Sequence, residues 1–176
     1  MKTKNIIGLF LPLLFMGIAS FASNGSNYLY DKNGQKDGLW TERISETLTQ
    51  IVYYKHGQED GIFRILNTHN SQLYVIGEMD NGEMCGTWLY FDDDNHLLMK
   101  CEDFHKEKTC IPSLHNYSIK YAPQNCYCTL FYNNGRIKGR GRLFFFEDPQ
   151  MDDSGEYGLW EFFDEIGNLI KTCKYE

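Results

Sequence analysis

Gly34-Gln-Lys-Asp-Gly38-Leu-Trp40 is followed 23 residues later by Gly57-Gln-Glu-Asp-Gly61-Ile-Phe63, and 25 residues after that by Gly82-Glu-Met-Cys-Gly86-Thr-Trp88. The shared pattern is a glycine, three residues, a second glycine, one residue and an aromatic ring. Self-similarity at a fixed period of this size marks a repeat architecture. Gly135 and Gly139 repeat the glycine spacing, with Gly141 where the ring would stand, and Gly155, Gly158 and Trp160 close the series with one residue fewer. All three tryptophans of the chain fall in this slot. A second alignment agrees: Gly86-Thr-Trp-Leu-Tyr-Phe-Asp92 matches Gly158-Leu-Trp-Glu-Phe-Phe-Asp164 at an offset of 72, three periods of 24, and at that offset Cys101 meets Cys173.

One period reads as a β-hairpin and a return turn. Trp88-Leu-Tyr-Phe91 is aromatic and suits a strand. Asp92-Asp-Asp-Asn95 is turn chemistry, and Leu97 to Cys101 makes the second strand. Lys32-Asn-Gly34, Lys55-His-Gly57 and Asp80-Asn-Gly82 then reverse the chain, because Asn-Gly and His-Gly tolerate positive φ. The aromatic slot and the residue two further on share a strand face, pairing Trp40 with Glu42, Phe63 with Ile65, Trp88 with Tyr90 and Trp160 with Phe162. A single hairpin is marginal in water, so neighbouring units must cover these rings. The expectation is an all-β, elongated antiparallel sheet of consecutive hairpins, about five units in all, with a column of packed rings.

These residues resemble the MORN repeat, in particular the bacterial MORN-variant proteins. Tyr53-Tyr54-Lys-His-Gly57-Gln-Glu-Asp-Gly61 and Phe162-Phe163-Asp-Glu-Ile-Gly167-Asn-Leu-Ile170 carry the likeness, which covers residues 28–104 and 126–176. The resemblance implies a curved antiparallel sheet used as an interaction scaffold, and it brings no catalytic motif. The repeats are placed at 23–104 and 126–176, and residues 105–125 read as an insertion.

The N-terminus reads as a signal peptide over residues 1–22. Lys2 and Lys4 precede an apolar run from Ile6 to Ile18, too short to cross a bilayer core as a helix. Ser20 and Ala22 suit cleavage after Ala22, with Gly17 and Ala19 offering a second site. The expectation is a periplasmic or secreted protein, not integral to the membrane once the leader is gone. The full chain has 17 basic and 24 acidic side chains; removing two lysines with the leader leaves 15 against 24, a formal charge of −9. That balance excludes general nucleic-acid binding, which needs cations to displace counterions from phosphates.

All six cysteines lie beyond the leader, and an even count in an oxidising compartment suggests disulfides. Cys85 and Cys101 flank one hairpin and are expected to face each other; Cys110 is expected to tie the insertion to Cys126 or Cys128. Cys101 and Cys173 stand three periods apart, six strand spacings or ~29 Å in a continuous sheet, too far for a bridge.

Nothing in the spacing specifies an enzyme, a metal or a cofactor. Asp92 to Asn95 lacks the glycine and glutamate of a calcium loop, no His-x-x-x-His occurs, and no Gly-x-Ser-x-Gly elbow is present. The candidate binding surface is Arg136-Ile-Lys138-Gly-Arg140-Gly-Arg142, four cations in seven residues of an acidic protein. On one strand they would share a face and could hold an anionic glycan, phosphate or protein carboxylates. The repeat phase keeps only Arg140 and Arg142 surely on one face, and the competing use is cross-strand pairing with acids. The functional expectation is a non-enzymatic module binding another envelope or extracellular protein; the alternative is glycan binding through exposed aromatics with Arg140 and Arg142.

Overall fold

The computed structural model describes residues 29–106, 124–146 and 153–175. The leader, Cys110 and most of the expected insertion lie outside the described residues. The fold is all-β. Ten strands follow one another: β1 Gly38–Arg43, β2 Leu48–Lys55, β3 Gln58–Asn67, β4 Leu73–Asp80, β5 Glu83–Phe91, β6 Leu97–Lys106, β7 Gln124–Phe131, β8 Ile137–Phe146, β9 Asp153–Phe163 and β10 Leu169–Tyr175. They form one antiparallel sheet in sequence order, each strand bonded, among the described residues, to its chain neighbours. Nine spacings of ~4.8 Å make a ladder about 43 Å long. No helix among the described residues is long and apolar enough to cross a membrane.

Two kinds of turn hold the ladder in register. His56-Gly57 and Asn81-Gly82 are two-residue connections with φ of 50° and 80°, and 51° and 82°. Positive φ at both central positions is the hairpin geometry that matches strand twist. The amide of Gly57 donates to the Lys36 carbonyl and that of Gly82 to the Glu59 carbonyl, so successive return turns stack in one phase. The other kind spans five residues and is built on an aspartate. Asp92 Oδ1 accepts from the amides of Asp94 and His96, and Asp164 Oδ1 from Ile166 and Asn168. Asp31 does the same with Asn33 and Gln35. Amide donation holds Asp31 and Asp164 below the usual carboxylate range, from Gln35 and Asn168 first.

The second glycine of each repeat has a distinct job. Gly38, Gly61, Gly86 and Gly158 take φ of 87°, 111°, 62° and 68°. At the last three the pairing register shifts: Ile76 faces Leu89 while Glu78 faces Cys85, and Arg140 faces Glu161 while Arg142 faces Tyr157. Extra residues on one strand make a bulge, which turns the following side chain. The side chain so turned is the ring of the aromatic slot.

The core is a row running across all ten strands on one face. Trp40 faces Val52, Val52 faces Phe63, and Phe63 faces Gly77. Trp88 lies over Gly77 and faces Cys101, which faces Cys128, which faces Gly141. Trp160 lies over Gly141 and faces Cys173. Large side chains therefore alternate with small ones. A Cβ on Gly77 would stand 2.1 Å from the Trp88 ring, and one on Gly141 2.5 Å from the Trp160 ring. Indole N–H groups close the fit: Trp88 Nε1 donates to the carbonyls of Glu78 and Cys85, and Trp160 Nε1 to that of Arg142. Both rings are fully buried although the fold has a single sheet. The expected ring column is thus interrupted: Phe63 meets Trp88 at 5.1 Å, but Cys128 takes the ring's place on β7.

The fourth unit departs from the sequence reading. Gly135 sits in the five-residue turn between β7 and β8, equivalent to Asn95 and Gly167, at the opposite end of the sheet from Gly57 and Gly82. Gly139 and Gly141 are strand residues of β8, Gly139 lying under Phe162. The spacing imitates the repeat because five-residue turns and strand positions lying under a ring also favour glycine. Gly155 is likewise inside β9, against the Phe144 ring.

Candidate functional site

β8 carries the candidate basic surface. Because the strand begins at Ile137, Lys138, Arg140 and Arg142 share the face opposite buried Gly139 and Gly141, while Arg136 belongs to the turn. Each cation has an intramolecular partner. Arg136 donates to the Ile166 carbonyl. Lys138 lies over the Tyr132 ring at 5.6 Å. Arg140 Nε meets Glu161 at 2.7 Å and the guanidinium covers Phe163 at 5.3 Å. Arg142 bridges Asp103 at 2.5 Å and Asn125 at 3.3 Å, and its hydrogen bond, with its charge second, holds the Asp103 carboxyl below the usual range. The row is a set of cross-strand pairs tying β8 to β6, β7 and β9. Those pairs are half-exposed, so they contribute little to stability.

The aromatic slots are packing positions. Trp40, Phe63, Trp88, Tyr90 and Trp160 are buried, and Phe162 is half-buried beside Trp160 at 5.8 Å. Rings at 0–4% exposure offer no stacking platform to a sugar.

The structure corrects the cysteine reading. Cys101 faces Trp88, and Cys85 stands opposite Glu78 on the other side of the bulge, so the two do not face each other. Cys85, Cys101, Cys126, Cys128 and Cys173 carry no bridge in this structure. The extra bulge residues at Gly86 carry Cys85 away from the row that Cys101 occupies. Cys101 instead borders Cys126 and Cys128, all three fully buried. Cys101 and Cys173 are four strand spacings apart rather than six, ~19 Å. The shorter count arises because residues 107–123 separate β6 from β7 in sequence, while the strands pair directly as His105 with Asn125 and Lys106 with Gln124. A bridge between those two remains geometrically excluded.

One polar cluster was not singled out in the sequence. Lys36 Nζ meets Glu42 at 2.5 Å and lies over the rings of Trp40 and Tyr54 at 4.6 and 4.5 Å. The Tyr54 hydroxyl donates toward Glu59 at 3.2 Å, and Gln50 Nε2 donates to Glu59 at 3.3 Å. Burial pushes the Glu59 carboxyl up and, with both acids beside it, raises the Tyr54 phenol. The available signal was an acid, Glu42, on the face that buries Trp40. A buried carboxylate there requires a cation, and Lys36 supplies it. The cluster ties the first two hairpins together.

The other end of the sheet differs. Among the described residues β10 pairs with β9 alone, and it is exposed through most of its length. Leu169 and Ile170 are 53% and 61% exposed, next to Ile166 at 71% in the preceding turn, while Leu159, 62% exposed, lies opposite Lys174 towards the other end of β10. Compared with family models, curated proteins and solved structures, the chain matches none of them.

Proposed function

We propose that this chain is an exported, non-enzymatic MORN-like repeat protein that serves as a protein-interaction or scaffolding module in the cell envelope, periplasmic or secreted. The observation that carries the reading is the edge at β10, unpaired among the described residues and flanked by Ile166, Leu169 and Ile170. An unpaired strand edge presents alternate N–H and C=O groups, and the apolar side chains beside it supply burial on contact. The glycine-bulge repeat and the N-terminal segment read as a leader support the scaffold and export parts. The glycan alternative draws less support, because the rings it needs are buried and Arg140 and Arg142 are paired.

Native-host crosslinking, capture of the tagged chain and mass spectrometry test the reading. The expected result is one reproducible envelope or extracellular protein, captured by wild type and by Arg140→Glu/Arg142→Glu and lost with Leu169→Glu/Ile170→Glu. Retention on isolated wall or capsule material with no protein captured would overturn it in favour of glycan binding. Loss through the arginine reversal alone would return the site to β8.

A further inference from the structure

Cys101 on β6 and Cys128 on β7 are directly opposed in the ladder, on the same buried face. Directly opposed residues of antiparallel strands have Cα atoms about 4.5–5.5 Å apart, within the roughly 4.4–6.8 Å that a disulfide spans. Cys126 lies two residues along, opposite the Asp103–Phe104 bulge, where the register between β6 and β7 shifts. In a regular ladder such diagonal Cα atoms are about 7–8 Å apart, so the register makes Cys128 the better-placed partner, while the thiols of both Cys126 and Cys128 hydrogen-bond Cys101.

We propose that Cys101 and Cys128 form a cross-strand disulfide, with Cys126 remaining a thiol beside it. The reaction is thiol–disulfide exchange with a small disulfide such as oxidised glutathione. The Cys101 thiolate attacks one sulfur of the reagent, breaking its S–S bond and releasing one thiol. The Cys128 thiolate then attacks Cys101 in the mixed disulfide and releases the second, so two protein thiols are oxidised, two reagent sulfurs are reduced, and the protons leave with the released thiols. Cys101 is the natural first nucleophile: hydrogen bonds from Cys126 and Cys128 favour its thiolate, whereas burial raises the other two thiols. All three are buried in the folded chain, so exchange occurs during folding or local opening. The bond would staple β6 to β7 across residues 107–123, the one strand-to-strand connection interrupted by a long segment within the core row.

The test is refolding of the full chain in oxidised and reduced glutathione, alkylation, and peptide mapping without reduction. A Cys101–Cys128 linked peptide is expected in wild type and in Cys126→Ser, with a lower urea midpoint after reduction. A Cys101–Cys126 bridge, a bridge from Cys101 to any other cysteine, or complete alkylation of Cys101 and Cys128 would overturn the proposal. Because the reaction is run on purified chain, the outcome is independent of the reading of compartment and partner.

Discussion

β5–β6 and β9–β10 are two copies of one sequence at an offset of 72, and the fold uses them differently. In both, a glycine at positive φ makes a bulge, a tryptophan turns onto a glycine of the preceding strand, and a cysteine faces the ring from the next strand. Beyond that cysteine the copies part. β6 is covered by β7, and Cys101 is fully buried; β10 pairs with no further strand among the described residues, and Cys173 is half-buried. The motif therefore determines how a ring is seated within its own hairpin. The presence or absence of a further strand determines whether the hairpin ends as an interior rung or as an edge.

The largest test of that comparison is truncation of the two rings. Trp88→Ala and Trp160→Ala should each cost about 3–5 kcal/mol in urea unfolding. Trp88→Ala should cost more, since Trp88 packs against Phe63, Tyr90 and Phe104, whereas Trp160 meets Phe162 and the edge residue Tyr175. Equal costs would mean that the interior strands add nothing to the first copy. Filling the seat is the next test. Gly77→Ala and Gly141→Ala place a methyl inside an indole ring and should lose roughly 1–3 kcal/mol or more. Gly135→Ala, with open space around it, should lose only about 1 kcal/mol from its positive φ.

The copies differ at one buried position in a way that can be erased. Tyr90 in the first corresponds to Phe162 in the second, and the Tyr90 hydroxyl has no hydrogen-bond partner among the described residues. Tyr90→Phe should stabilise the chain by about 1 kcal/mol, read as a rise in the urea midpoint at unchanged slope. The smallest effect lies in the first two hairpins, outside both copies. Glu59 has a folded-state pKa raised above 4.5, mainly by burial. Its contribution is therefore fully present below pH 4.5 and lost as pH rises through the folded value. Glu59→Gln should be more stable than wild type at neutral pH, with the difference vanishing in acid; a difference that grows in acid would contradict the burial assignment.

The return turns, the ring slots and the 72-residue offset were legible because each is local: a glycine pair and a ring at fixed spacing state the bulge directly. The seats were not legible. Gly77 and Gly141 lie 11 and 19 residues before the rings they receive, and only the register brings them together. The same holds for Cys101, whose neighbours come from β5 and β7 once the register is set. The fourth unit misled because Gly135 and Gly139 share the repeat spacing for unrelated reasons. Four cations in a row suggested a surface, but their partners Asp103 and Glu161 belong to strands that sequence spacing cannot pair with β8.

Amide hydrogen exchange on the isolated chain tests the central claim most directly, that one repeated hairpin is an interior rung at β6 and an open edge at β10. The account predicts slow exchange throughout Leu97–Glu102 and fast exchange at about every second amide of Leu169–Tyr175. Protection of β10 matching that of β6 in a monomeric chain would contradict it.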